Sequence, residues 1–307
     1  MRIISNKKKG AGALPKPAWL KIRPPAEDTP AGKRYGEIRS LIRAQKLHTV
    51  CSEAACPNAA ECWSKGTATF MILGDTCTRA CRFCNVKSGN PRGIIDKDEP
   101  KKLVSAVKTM GLNYVVLTCV TRDDLEDGGA AHFADCIRAL KKSSPNIKIE
   151  VLISDLNGNL TALKKIFAAS PDVIAHNIET VKRLQKAARD PRANYEKSLS
   201  VLRAVKEMIT PPDRIFTKSA LMVGLGETRS EVMKAMKDLR AANVDFLTIG
   251  QYLSPSSYHL PVKKYITPAQ FKSYETVAKK LGFLYCASGP FVRSSYRAGE
   301  LFSSARC

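Results

Sequence analysis

Cys77, Cys81 and Cys84 stand at CxxxCxxC spacing directly after the apolar run Phe70-Met71-Ile72-Leu73-Gly74. No other stretch constrains the chain so tightly. A short loop carrying three thiols can wrap them round one small object. Three thiolates satisfy three irons of a cubane [4Fe–4S] cluster and leave the fourth iron open. An open iron can chelate the amine and carboxylate of a ligand and pass it an electron. Zinc is the competing reading, but zinc takes four ligands and favours a shorter CxxC pairing.

A second three-thiol set, Cys51, Cys56 and Cys62 at CxxxxCxxxxxC spacing, lies just upstream. A zinc knuckle completed by His48 is the alternative, but an iron–sulfur motif follows immediately, which favours a second cluster. The remaining four of the ten cysteines, Cys119, Cys136, Cys286 and Cys307, are scattered and are expected to take no part in the chemistry. Cysteines clustered in this way point to metal or redox chemistry in an intracellular setting, not to disulfides. No apolar run approaches the ~20 residues that span a bilayer. Lys7, Lys8 and Lys9 are not followed by the apolar stretch of a secretory signal. The chain therefore reads as cytoplasmic, with no membrane partner. Its formal charge of +22 suits an acidic partner, either nucleic acid or an acidic protein domain. The basic residues are dispersed, and no zinc-finger, RRM or KH signature is present, so nucleic acid is not expected.

The chain divides into three spans. Residues 1–66 form an N-terminal arm and the upstream cysteine segment. The arm is rich in proline (Pro15, Pro17, Pro24, Pro25, Pro30), with Trp19 and Leu20 available to pin it down. A helix is plausible from Tyr35 to Leu47, with Ile38, Leu41 and Ile42 on one face. Residues 67–253 alternate strands and helices. The strands are Thr69–Leu73, Tyr114–Val120, Ile147–Ile153, Val173–Ile178, Thr217–Val223 and Phe246–Tyr252. Each is short, aliphatic and without polar alternation, as in a parallel sheet buried on both faces. Helices are expected over Pro100–Met110, His132–Lys142, Leu160–Ala168, Tyr195–Met208 and Ser230–Ala242. About six βα units imply an α/β chain built as a partial parallel β/α barrel with N-terminal and C-terminal extensions. Residues 254–307 hold a loop, a helix over Pro268–Leu281, a possible last strand at Phe283–Cys286, and the tail Gly289–Tyr296.

In such barrels the functional groups collect at the C-terminal ends of strands. Thr118–Asp124 closes the second strand and His176-Asn177-Ile178-Glu179-Thr180 the fourth. Lys218-Ser219 opens the fifth, which ends in Gly224-Leu225-Gly226-Glu227. Glu179 can accept from ribose hydroxyls, as acids at strand ends do in nucleotide sites. Asp123 and Asp124 have the alternative role of capping the next helix, and His176 that of a hydrogen-bonded core residue. The Gly224–Gly226 turn is weak evidence by itself. Phe83 could stack on an adenine or pack beneath the cluster.

The CxxxCxxC loop is the signature of radical S-adenosylmethionine (SAM) enzymes, and over about Leu14–Tyr296 the chain resembles the lipoyl synthase family of that superfamily. The resemblance rests on the two cysteine motifs in this order, on the run Glu61–Gly74, and on Arg122-Asp123-Asp124-Leu125. It rests further on His176–Val181, Leu221–Glu227, Thr248–Leu253 and Arg293-Ser294-Ser295-Tyr296. It implies two [4Fe–4S] clusters. Cys77, Cys81 and Cys84 would hold the one that binds SAM and cleaves it to methionine and a 5′-deoxyadenosyl radical. Cys51, Cys56 and Cys62 would hold an auxiliary sulfur donor, with Ser295, or failing that Ser294, as its fourth ligand. Phe83, Thr118, Asn177 and Glu179 would contact SAM. The implied reaction inserts sulfur at C6 and C8 of an octanoyl chain carried on a lysine of a lipoyl carrier domain or glycine cleavage H protein. An electron donor such as ferredoxin or flavodoxin and an iron–sulfur carrier would be further partners. Departures from the family pattern at Cys119, Thr121, Ile153-Ser154 and Ala220 touch substrate positioning and remove no cluster ligand. A radical SAM tRNA methylthiotransferase is the alternative reading, although no RNA-binding appendage is visible. A non-catalytic nucleic-acid-binding module is a more distant one.

Overall fold

Apolar runs that can lose water on both faces become the inner sheet, and the amphipathic segments between them become its cover. The computed structural model describes residues 14–21, 26–53, 56, 58–64, 69–212, 214–296 and 298–304. Lys7, Lys8, Lys9, Pro24, Pro25 and Cys307 lie outside the described residues. A 3-10 turn, Ala18–Leu20, buries Leu20 and leads to α1 (Pro30–Ala44), capped by the Thr29 hydroxyl, which accepts from the Gly32 N–H at 3.1 Å. The helix starts earlier than its apolar face indicates because Thr29-Pro30 is a cap followed by proline at the first helical position. The upstream cysteine segment contributes β1 (His48–Thr49), α2 (Val50–Glu53) and α3 (Ala59–Ser64).

The barrel follows in chain order. It begins with β2 (Thr69–Ile72), the short pair β3 (Thr76–Cys77) and β4 (Lys87–Ser88), then α4 (Glu99–Met110), β5 (Tyr114–Cys119), α5 (Ala130–Ser143) and β6 (Lys148–Leu152). It continues through α6 (Leu160–Ala168), β7 (Val173–Ala175), α7 (Gln185–Ala188), α8 (Tyr195–Met208), β8 (Phe216–Val223), α9 (Arg229–Ala241) and β9 (Phe246–Gln251). The chain ends with α10 (Pro268–Lys280), β10 (Tyr285–Gly289) and α11 (Ala298–Ser304). The sheet order is β1-β2-β5-β6-β7-β8-β9-β10, antiparallel at β1–β2 and parallel throughout the rest. Its edge strands do not pair with each other among the described residues, so it is an open, partial barrel.

Two strands differ from expectation. β7 stops at Ala175, because the backbone beyond it turns at Glu179 (φ +65) and returns to the sheet only through a single bridge to Leu221. β10, expected as a possible last strand at Phe283–Cys286, forms instead over Tyr285–Gly289 and is a seventh parallel strand of the sheet, outside the span 67–253. Its sequence Tyr-Cys-Ala-Ser-Gly carries no β-branched residue to mark its bounds. At the N-terminal mouth of the barrel, Phe302 of α11 packs against Tyr114 and Phe216, which open β5 and β8, with ring centroids 5.8 Å away in each case. The buried pair Lys218–Glu150 joins β8 to β6 at 2.8 Å, with the Tyr114 hydroxyl of β5 donating to Glu150. Lys218 is thus a structural ion pair rather than part of a site. No helix among the described residues is long and apolar enough to cross a membrane.

Candidate active site

The cysteine loop leaves β2 through two consecutive left-handed residues, Leu73 (φ +69) and Gly74 (φ +91). Side chains and backbone from four strand ends then fix it. Thr78 N–H donates to Thr121 O at 2.9 Å and its hydroxyl to Asp123 at 2.9 Å. Arg79, buried beneath the loop, forks onto Asp155 with two bonds of 2.7 Å and reaches Asp123 at 2.9 and 3.0 Å. Asp190, after α7, accepts from Ala80 N–H at 3.0 Å, and its own N–H donates to Cys81 Sγ at 3.3 Å. On the far side, Leu260 N–H donates to Arg82 O at 3.1 Å and His259 Nε2 bonds Cys84 O at 3.0 Å. The loop is therefore held by charge-assisted bonds below and by the segment after β9 above. Burial disfavours ionisation of Asp123 and Asp155, but the Arg79 guanidinium prevails and keeps both carboxyls below the usual range. Neither Asp123 nor Asp124 caps α5. Asp124 pairs with buried Arg122 at 2.8 Å, and Asp127 accepts from the Gly129 and Ala131 amides.

A cavity of about 580 Å³ opens over this loop. Cys77, Cys81, Cys84 and Phe83 line it from below, and Thr118, Asn177 and Glu179 from the strand ends. Cys51 and Cys56 enter from the N-terminal segment, and Ser294 and Ser295 from the C-terminal segment. Cys62, on α3, packs against the core and is not among the lining residues. Two long-range contacts bring the chain ends together here. Asn58 Nδ2 donates to Phe291 O at 2.6 Å, and the Tyr296 hydroxyl donates to Glu61 at 3.1 Å. Gly250 permits that approach, since a Cβ there would lie 2.0 Å from Val292 O.

The donor set fits iron–sulfur ligation. Burial pushes the Cys51, Cys56 and Cys81 thiols up and takes Cys84 to about 12. Thiolates in such a wall need a cation to offset their desolvation. The opposite wall is lined with polar groups. Asn177 Oδ1 is buried with no hydrogen-bond partner, and Glu179, strained and bordering the cavity, has its carboxyl pushed up by burial. Arg189 lines the cavity, and no carboxylate among the described residues lies within ion-pairing distance of it. It donates to Ser198 Oγ at 2.8 Å and Gln185 Oε1 at 3.2 Å. His176 completes that wall. It bonds Ile153 O and Ser198 Oγ, each at 2.9 Å, and burial together with Arg189 brings its pKa down to about 4. It is a neutral, fully bonded spacer.

The Gly224–Glu227 turn is not an anion cradle, because the Gly224 and Leu225 amides already donate to the Glu227 carboxylate. Cys119 borders the cavity, whereas Cys136 and Cys286 are buried elsewhere. Sequence reasoning missed Arg79, Asp155, Asp190 and Arg189. Only Arg79 carried a signal, as a cation inside the cysteine loop.

An open parallel β/α barrel with three thiols in the loop after its first parallel strand defines a radical SAM enzyme, and residues 71–239 match the Radical SAM superfamily model. The FeFe-hydrogenase maturase HydG from Carboxydothermus hydrogenoformans shares this fold, with a TM-score of 0.55 at 13% identity over 89% of this chain and 69% of that one. The lipoyl synthase of Thermus thermophilus is 53% identical over 94% of this chain and 87% of its own length. That of Anaeromyxobacter dehalogenans is 52% identical over 94% and 95%. The chain belongs to the lipoyl synthase family.

Proposed function

We propose that the chain inserts two sulfur atoms, at C6 and C8, into an octanoyl chain amide-linked to a lysine of a lipoyl carrier domain or H protein. Cys77, Cys81 and Cys84 would hold the SAM-binding [4Fe–4S] cluster. Cys51, Cys56 and Cys62, with Ser295, would hold the second. When bound, the first cluster with SAM supplies hydrogen abstraction from an unactivated carbon, and the second supplies sulfur. The protein's own work is placement. Arg79, Asp123, Asp155 and Asp190 hold the lower thiols, and the Asn58 and Tyr296 contacts hold the upper ones. Phe83, Thr118, Asn177 and Glu179 receive the nucleoside side of SAM, and Arg189 its carboxylate. The apolar walls, including Val50, Met71 and Val120, exclude water and take the alkyl chain.

The observation that carries this reading is the meeting, around one cavity, of the CxxxCxxC thiols with Cys51, Cys56 and Ser295 from opposite ends of the chain. The electron donor would be a ferredoxin or flavodoxin, and an iron–sulfur carrier would rebuild the second cluster. The test is anaerobic incubation of the iron-loaded protein with SAM, a reductant and an octanoyl-lysine peptide. Mass spectrometry should find two added sulfurs, and unmodified peptide under conditions that cleave SAM would contradict the proposal.

A further inference from the structure

Glu99, His132 and Cys136, the first and last buried and His132 partly so, form a cluster outside the cavity where α4 meets α5, with their donor atoms within 4.8 Å of one another. Its shape is that of a metal site, but its hydrogen bonds point elsewhere. One oxygen, Glu99 Oε2, accepts both from Leu73 N–H at 2.9 Å and from His132 Nε2 at 2.7 Å. A zinc ion would have to compete for that oxygen and would still lack a fourth ligand.

Leu73 is the residue at which β2 breaks into the cysteine loop, and both of its backbone groups are held by charged side chains. Its carbonyl accepts from Arg122 Nη1 at 3.0 Å. Its side chain presses on Gly129, where an added Cβ would meet Leu73 Cδ1 at 2.4 Å. A leucine in the left-handed region is sterically disfavoured, because its Cβ crowds the following carbonyl, so the conformation needs an external hold. The carboxylate supplies that hold, and His132 fixes the carboxylate.

We infer that Glu99 and His132 are a positioning pair that sets the turn from which the CxxxCxxC loop departs. Neither residue lines the cavity. The consequence for cluster geometry rests on the proposed function, whereas the consequence for the turn does not.

Amide hydrogen exchange on the metal-free protein reads the turn directly. In Glu99→Ala the Leu73–Thr78 segment should exchange about tenfold faster while α8 is unchanged. Glu99→Gln, which keeps an oxygen acceptor, should stay within about threefold of the parent. His132→Gln should give an intermediate rise, and carries the test if Glu99→Ala does not fold. Cys136→Ala should leave the segment unchanged. In the iron-loaded protein, the change that SAM makes in the electron paramagnetic resonance spectrum of the reduced cluster should be lost in Glu99→Ala and restored in Glu99→Gln. Unchanged exchange at Leu73–Thr78 in folded Glu99→Ala or His132→Gln would overturn the inference. So would one bound zinc per chain that Cys136→Ala removes.

Discussion

Arg79 shows how much of a radical site can rest on ordinary electrostatics. Its guanidinium lies under a loop of thiols, where it pairs with the buried Asp155 and also reaches Asp123, a more exposed carboxylate that Arg192 meets at 3.2 Å. Removing one member of such a buried pair costs about 3–5 kcal/mol, so Arg79→Met should lower the urea midpoint sharply and empty the CxxxCxxC site of iron. Asp123 and Asp155 titrate below their unfolded values. Their stabilising contribution is therefore complete above about pH 4 and is lost as pH falls through the lowered folded values. Urea titrations of the parent and Asp155→Asn should diverge at neutral pH and converge in acid. Ser295 makes a different prediction. A hydroxyl oxygen is a harder, poorer match for iron than a thiolate. Ser295→Cys should keep about eight irons per chain yet lose sulfur insertion, and full activity in that variant would remove serine's special role.

At the scale of elements, the two chain ends matter most. Gly250 lets the segment after β10 lie against β9. A methyl group there would displace Val292 and with it Ser294 and Ser295. Gly250→Ala should lose iron selectively from the upper cysteine set while the lower set still cleaves SAM, which paired iron and SAM-cleavage assays would show. The strands were readable because residues such as Ile72, Leu117 and Leu247 are buried on both faces of the sheet and leave uninterrupted aliphatic runs. β10 was less readable, since its residues are small and its place depends on pairing with β9. The cysteine motifs announced the ligands through local spacing. The braces that aim them were hidden, because Asn58 meets Phe291 and Glu61 meets Tyr296 across more than two hundred residues. The Gly224 turn, weak evidence in the sequence, is settled only by the fold. Its local pattern resembles an anion loop, but Glu227 already occupies the amides.

Across the whole molecule, the open barrel presents its thiols at one end and is closed by α11 at the other, so substrate must enter at the thiol end. With a formal charge of +22, approach of an acidic carrier domain should be steered, and the association rate should fall steeply as salt rises. A rate independent of salt would remove steering from the account. A second cluster held by the upper thiol set would give up its own inorganic sulfide to an alkyl chain held against the lower set. Protein reconstituted with heavy-isotope sulfide, given one turnover with unlabelled reagents, tests this most directly by mass spectrometry of the modified lysine. Heavy sulfur should appear at both carbons, and a product carrying only natural-abundance sulfur would contradict self-donation by the cluster.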